Sequence, residues 1–265
     1  MPLNNMFKGL QQTLEDSNKG PFSNIPVSGL NVENGLFVIY TPDNRYVRPS
    51  ETVLQLKEKY TGWTADDSII KDNNGMKWFT ISGNKSSFGT PTTRALTDPN
   101  GQELAEYQLN TKNSHGTAFI TMQTSSGRYI VATIKESKSF RQNVDIFVHN
   151  PMMSLENPAT TEGLAPTIRV QGDVMGKNFD FMKDMGIVEG NQLSCKIAKV
   201  KRKYGSNSSY YPNTYFLQIG TNADIAFICM CTYAIDEMFF DDEERRLTGS
   251  RAVVQPARVE LGVSH

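Results

Sequence analysis

The sequence predicts an all-β protein closed around one helix, and three observations carry that prediction. A run near the C-terminus, Asp224-Ile-Ala-Phe-Ile-Cys-Met-Cys-Thr-Tyr-Ala-Ile-Asp-Glu-Met-Phe-Phe240, is long enough for a helix and apolar on every side. Before it lie about a dozen short stretches of alternating or wholly apolar character. Between them stand Asn-Gly, Pro-Asn-Gly and Ser-Gly turns that tolerate the positive φ a hairpin requires.

The helix sets the problem for the rest of the chain. From Ile225 to Phe240, 13 of 16 residues are apolar, and Thr232, Asp236 and Glu237 leave no wide polar face at a period of 3.6. Such a helix must be buried all round. A membrane span needs about 20 predominantly apolar residues, whereas Asp236 and Glu237 interrupt this one after 11. The protein's own core is therefore the expected surrounding. Asn222 or Asp224 is placed to cap its first turn. The four carboxylates of Asp241-Asp-Glu-Glu244 would oppose the dipole at a C-terminus, so the helix is predicted to span 224–240.

Strands are predicted at 36–41, 52–60, 68–71, 77–82, 93–97, 103–110, 117–124, 129–135, 145–149, 167–171, 179–183, 193–203 and 214–219. Asp72-Asn-Asn-Gly75, Asp98-Pro-Asn-Gly101 and Ser125-Ser-Gly127 reverse the chain between them. The two Asp-x-Asn-Gly segments lie 26 residues apart, but no other part of the chain keeps that period, and a meander of hairpins accounts for them. Residues 150–166 hold three prolines and no periodicity, and read as a long crossover between two halves of one sheet. About twelve antiparallel strands around one helix close into a barrel, which removes the exposed edges an open sheet would present. The domain is expected over 30–244, between a flexible arm at 1–29 with one weak helical pattern at Phe7, Leu10 and Leu14, and a flexible tail at 245–265.

With 265 residues, 38% hydrophobic and 21% charged, the chain reads as globular, and a net charge of −1 gives it no overall attraction to nucleic acid or anionic membrane. Binding of either must be local. The three cysteines, Cys195, Cys229 and Cys231, are an odd number, and the last two face different directions on the helix. They are read as buried, unpaired thiols in a reducing compartment. The first 20 residues lack an apolar signal-peptide core, so a cytoplasmic protein is expected.

Several segments in order resemble the LURP-one-related family, within the tubby C-terminal and phospholipid scramblase-like superfamily. They are Leu54-Gln-Leu-Lys-Glu-Lys-Tyr60 leading to Asp67-Ser-Ile-Ile-Lys-Asp-Asn-Asn-Gly75, the hairpin Ala95 to Tyr107, and Ile168-Arg-Val-Gln-Gly-Asp-Val-Met-Gly-Lys177. Most specific are Lys196-Ile-Ala-Lys-Val-Lys-Arg-Lys-Tyr204 and the helix with its Ala234-Ile-Asp-Glu-Met-Phe-Phe ending. The resemblance implies a twelve-stranded barrel threaded by a central apolar helix. It implies no single activity, because plant members are linked with defence, tubby domains bind phosphoinositides and scramblases move lipid under calcium. Scramblases carry an acidic cluster before the helix, whereas between Tyr204 and Ile225 this chain has one carboxylate, Asp224. Calcium takes six to eight oxygens, so a calcium-driven scramblase fits poorly and no metal or cofactor is expected.

The sharpest polar feature is Lys196, Lys199, Lys201, Arg202 and Lys203, five cations in eight residues. On a strand, Lys199, Lys201 and Lys203 share the face opposite Ala198 and Val200. That row is the candidate site for anionic or phosphoinositide headgroups at the plasma membrane, against the plainer reading of a solvated face. A scramblase-like lipid transporter and a purely protein-interacting scaffold in stress or defence signalling are the alternatives. Arg202 has inward parity, and Asp236 near the helix end needs a partner; Arg202 or a backbone amide is expected. His115, His149 and His265 are isolated, and no nucleophile elbow, P-loop or dinucleotide fingerprint occurs, so a non-enzymatic role is expected. The aromatics fall inside strand patterns, which argues against nucleic-acid stacking. The loop Tyr204-Gly-Ser-Asn-Ser-Ser-Tyr-Tyr-Pro212 would extend the binding surface.

Overall fold

The computed structural model describes residues 45–57, 68–83, 93–109, 117–137, 143–154, 161–174, 176–188, 191–202 and 214–248. Twelve strands follow one another: β1 (Thr52–Lys57), β2 (Ser68–Asp72), β3 (Lys77–Gly83), β4 (Thr93–Thr97), β5 (Glu103–Leu109) and β6 (Thr117–Thr124). The second half holds β7 (Gly127–Glu136), β8 (Val144–Ser154), β9 (Ile168–Asp173), β10 (Asn178–Val188), β11 (Asn191–Arg202) and β12 (Thr214–Ile219), and α1 (Ile225–Thr248) ends the described chain. Each strand pairs with its sequence neighbours, and β12 pairs with β1 from Thr52↔Ile219 to Lys57↔Thr214 to close the barrel. The predicted strand at 36–41 lies outside the described residues, as do the arm at 1–29, the loop Tyr204 to Pro212 and residues 249–265.

Closure follows from what α1 demands. Every residue from Ile225 to Ile235 is buried, with Ile228, Cys229, Met230, Cys231, Ala234 and Ile235 fully so. They pack in one cluster with inward residues of all twelve strands, among them Leu54, Ile70, Phe79, Leu96, Tyr107, Ile120, Ala132, Ile146, Val170, Phe181, Val200 and Leu217. A helix apolar all round has no solvated side, so only a closed wall can bury it. Asp224 caps it, its Oδ1 accepting from Phe227 N at 3.0 Å. Arg45 to Arg48 cross the same end: Tyr46 O accepts from Ile225 N at 3.0 Å, and Arg48 O accepts from Asn222 N at 2.7 Å.

Two expectations are corrected. The helix does not stop near Phe240 but continues to Thr248. The acidic run is therefore interior to it, and Arg245 and Arg246 occupy the terminal turn, where cations suit the dipole. The segment after Asn150 is not a crossover either. Strand β8 runs on to Ser154, and β9 is its immediate neighbour. The register against β7 jumps from Val148↔Ala132 to Met153↔Ile130, so four residues oppose Val131. Pro151 falls in that bulge, where a missing N–H breaks no ladder bond.

The Asp-x-Asn-Gly turns share one geometry. Asp72 Oδ1 accepts from Asn74 N and Met76 N, both at 2.9 Å, and Asp98 Oδ1 accepts from Asn100 N at 2.9 Å and Gln102 N at 2.8 Å. Gly75 and Gly101 take φ of 80° and 83°. The second oxygens reach beyond the turns: Trp78 Nε1 donates to Asp72 Oδ2 at 3.3 Å, and Arg45 Nη1 lies 3.6 Å from Asp98 Oδ2.

Candidate binding surface

The basic strand β11 lies on the barrel wall between β10 and β12. Ala198 and Val200 are buried in the core, and Lys199 and Lys201 alternate with them toward the outside. Strict alternation would put Lys196 with Ala198. Instead the register steps from Phe181↔Ala198 to Met182↔Lys196, leaving Ile197 as a bulge residue, and this reverses the parity. Lys196 consequently reaches Asp180, Nζ to Oδ2 2.6 Å, and Lys199 stands 3.9 Å from the other oxygen of the same carboxylate.

Asp180 is the residue that sequence reading missed. It faces Lys199 in register, and nothing in the local pattern of β10 reveals that partner. The Lys199 side chain is only 17% exposed. Burial lowers its pKa, Asp180 pulls it back up, and the Lys196 and Lys201 charges push it further down. Lys201 is half-buried opposite Asn178 and Phe216. Arg202 pairs in register with Tyr215, an inward residue, as its parity predicts. Lys203 lies outside the described residues.

Asp236 has a partner, but it is not Arg202. Lys177, in the β9–β10 turn, places Nζ 2.7 Å from Asp236 Oδ1 and 5.0 Å from the centroid of the Tyr215 ring. One helical turn away, Tyr233 donates its hydroxyl to Glu237 Oε1 at 2.6 Å. Burial and the Glu237 carboxylate hold that phenol far above its usual range.

Two sequence candidates are explained by structure alone. His149 is buried with Nε2 2.8 Å from Thr133 Oγ1, and burial lowers its pKa, keeping the ring neutral at pH 7. Cys229 and Cys231 are buried, Cys195 is half-buried, and all three are free thiols with raised pKa values, caused first by burial. Among the described residues no three His, Cys, Asp or Glu side chains gather as metal ligands, and no helix is long and apolar enough to cross a membrane.

A second polar feature lies on the outer wall. Among the described residues, Ser137, Asn143, Asp145, Arg169, Val170 and Gln171 line a cleft of about 280 Å³ beside the end of β7, the start of β8 and β9. The alternating patterns of β8 and β9 show that Asp145 and Arg169 turn outward, but only the strand register makes them neighbours.

The LURP-one-related family model matches residues 52–236, which takes in every strand of the barrel and the buried part of α1. The chain belongs to the LURP-one-related family. No curated protein matches this LURP-one-related chain. A solved structure similar to it is the X-ray structure of an Arabidopsis thaliana protein, 17% identical over 79% of this chain and 99% of that one, with a TM-score of 0.49.

Proposed function

We propose that this LURP-one-related barrel is a non-catalytic, cytoplasmic binding module that engages anionic headgroups at a membrane surface through the outward face of β11. The observation that carries the reading is the placement of Lys196, Lys199 and Lys201 on one side of the wall, with the Ile197 bulge bringing the first into line. One carboxylate, Asp180, is shared by two of these ammonium groups. Each lysine near an anionic membrane contributes about 1 kcal/mol.

A scramblase-like lipid transporter is the weaker reading. Its apolar helix would have to meet lipid, whereas residues 225–235 already spend their apolar surface on the barrel interior. Co-sedimentation of the detergent-free protein with phosphatidylcholine vesicles, with and without a phosphoinositide, tests the proposal. Selective binding to the phosphoinositide vesicles is expected, weakened by salt and lost in a Lys199→Ala/Lys201→Ala/Lys203→Ala variant. Failure to bind either vesicle would leave the lysines as a solvated face. A protein partner retained at high salt would then be the better account.

A further inference from the structure

The cleft beside β9 shares no residue with the lysine face and is built for a different ligand. Its wall is the β8–β9 ladder, in which Val144↔Val170 and Ile146↔Ile168 are fully buried pairs flanking Asp145↔Arg169. Two inward pairs force the pair between them outward, so a carboxylate and a guanidinium stand opposite each other on the outer wall. Residues paired in this way have Cβ atoms about 4.5 to 5.5 Å apart.

The two groups influence one another without neutralising the cleft. The Arg169 charge and a hydrogen bond from Ser137 both favour the ionised Asp145, yet burial outweighs them and its carboxyl is pushed up from the usual range. Arg169 is exposed. A carboxylate short of solvation beside an accessible guanidinium is a pair of opposite charges that a ligand of matching charges can complete. The amides of Asn143 and Gln171 add donors and acceptors around them. A volume of about 280 Å³ admits only a compact group, since small-molecule pockets start near about 300 Å³.

The geometry points to a binding site for a compact zwitterion, with a phosphate on the Arg169 guanidinium and a primary ammonium on the Asp145 carboxylate. Guanidinium presents a fork of donors that matches phosphate oxygens. An ammonium would add a charged donor to the Asp145 carboxylate. The same chemistry occurs in free phosphoethanolamine and in a phosphatidylethanolamine headgroup.

Isothermal titration of the full chain with phosphoethanolamine, inorganic phosphate and ethanolamine tests this directly. Phosphoethanolamine is expected to bind at least about 10-fold more tightly than either fragment, and Asp145→Asn and Arg169→Gln each to lose about 10-fold or more. Asp145→Asn removes a charge that burial disfavours, so it tests the site without threatening the fold, and unchanged thermal midpoints will confirm that for both variants. Sedimentation with phosphatidylcholine vesicles containing phosphatidylethanolamine, lost in both variants, would assign the same chemistry to a lipid source. Equal binding of inorganic phosphate, full binding by either variant, or no response to the free or vesicle form would overturn the site. The lysine variant of β11 should bind phosphoethanolamine as the wild type does, which separates this result from the fate of the membrane reading.

Discussion

Lys177 shows how one residue can answer a question posed elsewhere in the chain. Asp236 sits on a helix that is otherwise core, and its side chain is 12% exposed, so an absent partner would be costly. Lys177 supplies that partner from a backbone at φ 55°, a conformation disfavoured for a residue with a Cβ. The pair also lays the ammonium against the Tyr215 ring. Asp236→Asn and Lys177→Met are each expected to lose about 1–3 kcal/mol in urea unfolding. The double variant should lose less than their sum, because neither charge is then left alone. Strict additivity would show that the two side chains are not coupled. Sequence parity assigned Arg202 its inward side correctly, but it could not see a turn residue reaching in from β9–β10.

At the scale of elements, the hairpins were the most legible part of the chain. The Asp-x-Asn-Gly turns specify themselves, because the aspartate binds the backbone of the residues that follow it. Irregularities were not legible. The Ile197 bulge and the jump opposite Val131 arise from fitting neighbouring strands around one barrel. Two glycines distinguish turn strain from close approach. A Cβ at Gly172, φ 124°, would lie 2.7 Å from Asn178 O and 3.0 Å from Phe179 Cα, whereas one at Gly75, φ 80°, would meet nothing within 4 Å. Gly75→Ala should cost only the conformational penalty, about 1 kcal/mol. Gly172→Ala must also move backbone against backbone and should cost clearly more, about 2–3 kcal/mol. Equal midpoints in chemical denaturation would contradict the close packing at Gly172.

At the scale of the molecule, the wall and the helix stabilise each other. Twelve strands in sequence order have no crossover to hold them, and the last pairs with the first around α1. The helix has no other place in which its apolar perimeter is satisfied. Cys229 and Cys231 are therefore enclosed on every side, and burial first, then the Asp224 charge, keeps both thiols protonated. In a Cys195→Ser variant, these two thiols are expected to react with a disulfide reagent only at the rate of global unfolding. Rapid labelling under native conditions would mean that the helix leaves the barrel, which would revive the transporter reading. The outer wall is different in kind, because its polar residues are not required to enclose the helix.

The sequence by itself determined the β class, the twelve described strands, the main hairpin turns and the enclosure of the helix. Each of these follows from local periodicity, from turn chemistry or from apolar surface that must be buried, and all three are properties of contiguous residues. Only the tertiary structure decided that Asp180 stands against Lys196 and Lys199, that Lys177 holds Asp236, and that Asp145 and Arg169 form one cleft. Those relations depend on strand register and on bulges. A shift of one residue would turn each of these side chains to the other face, and no single strand contains the information that prevents it.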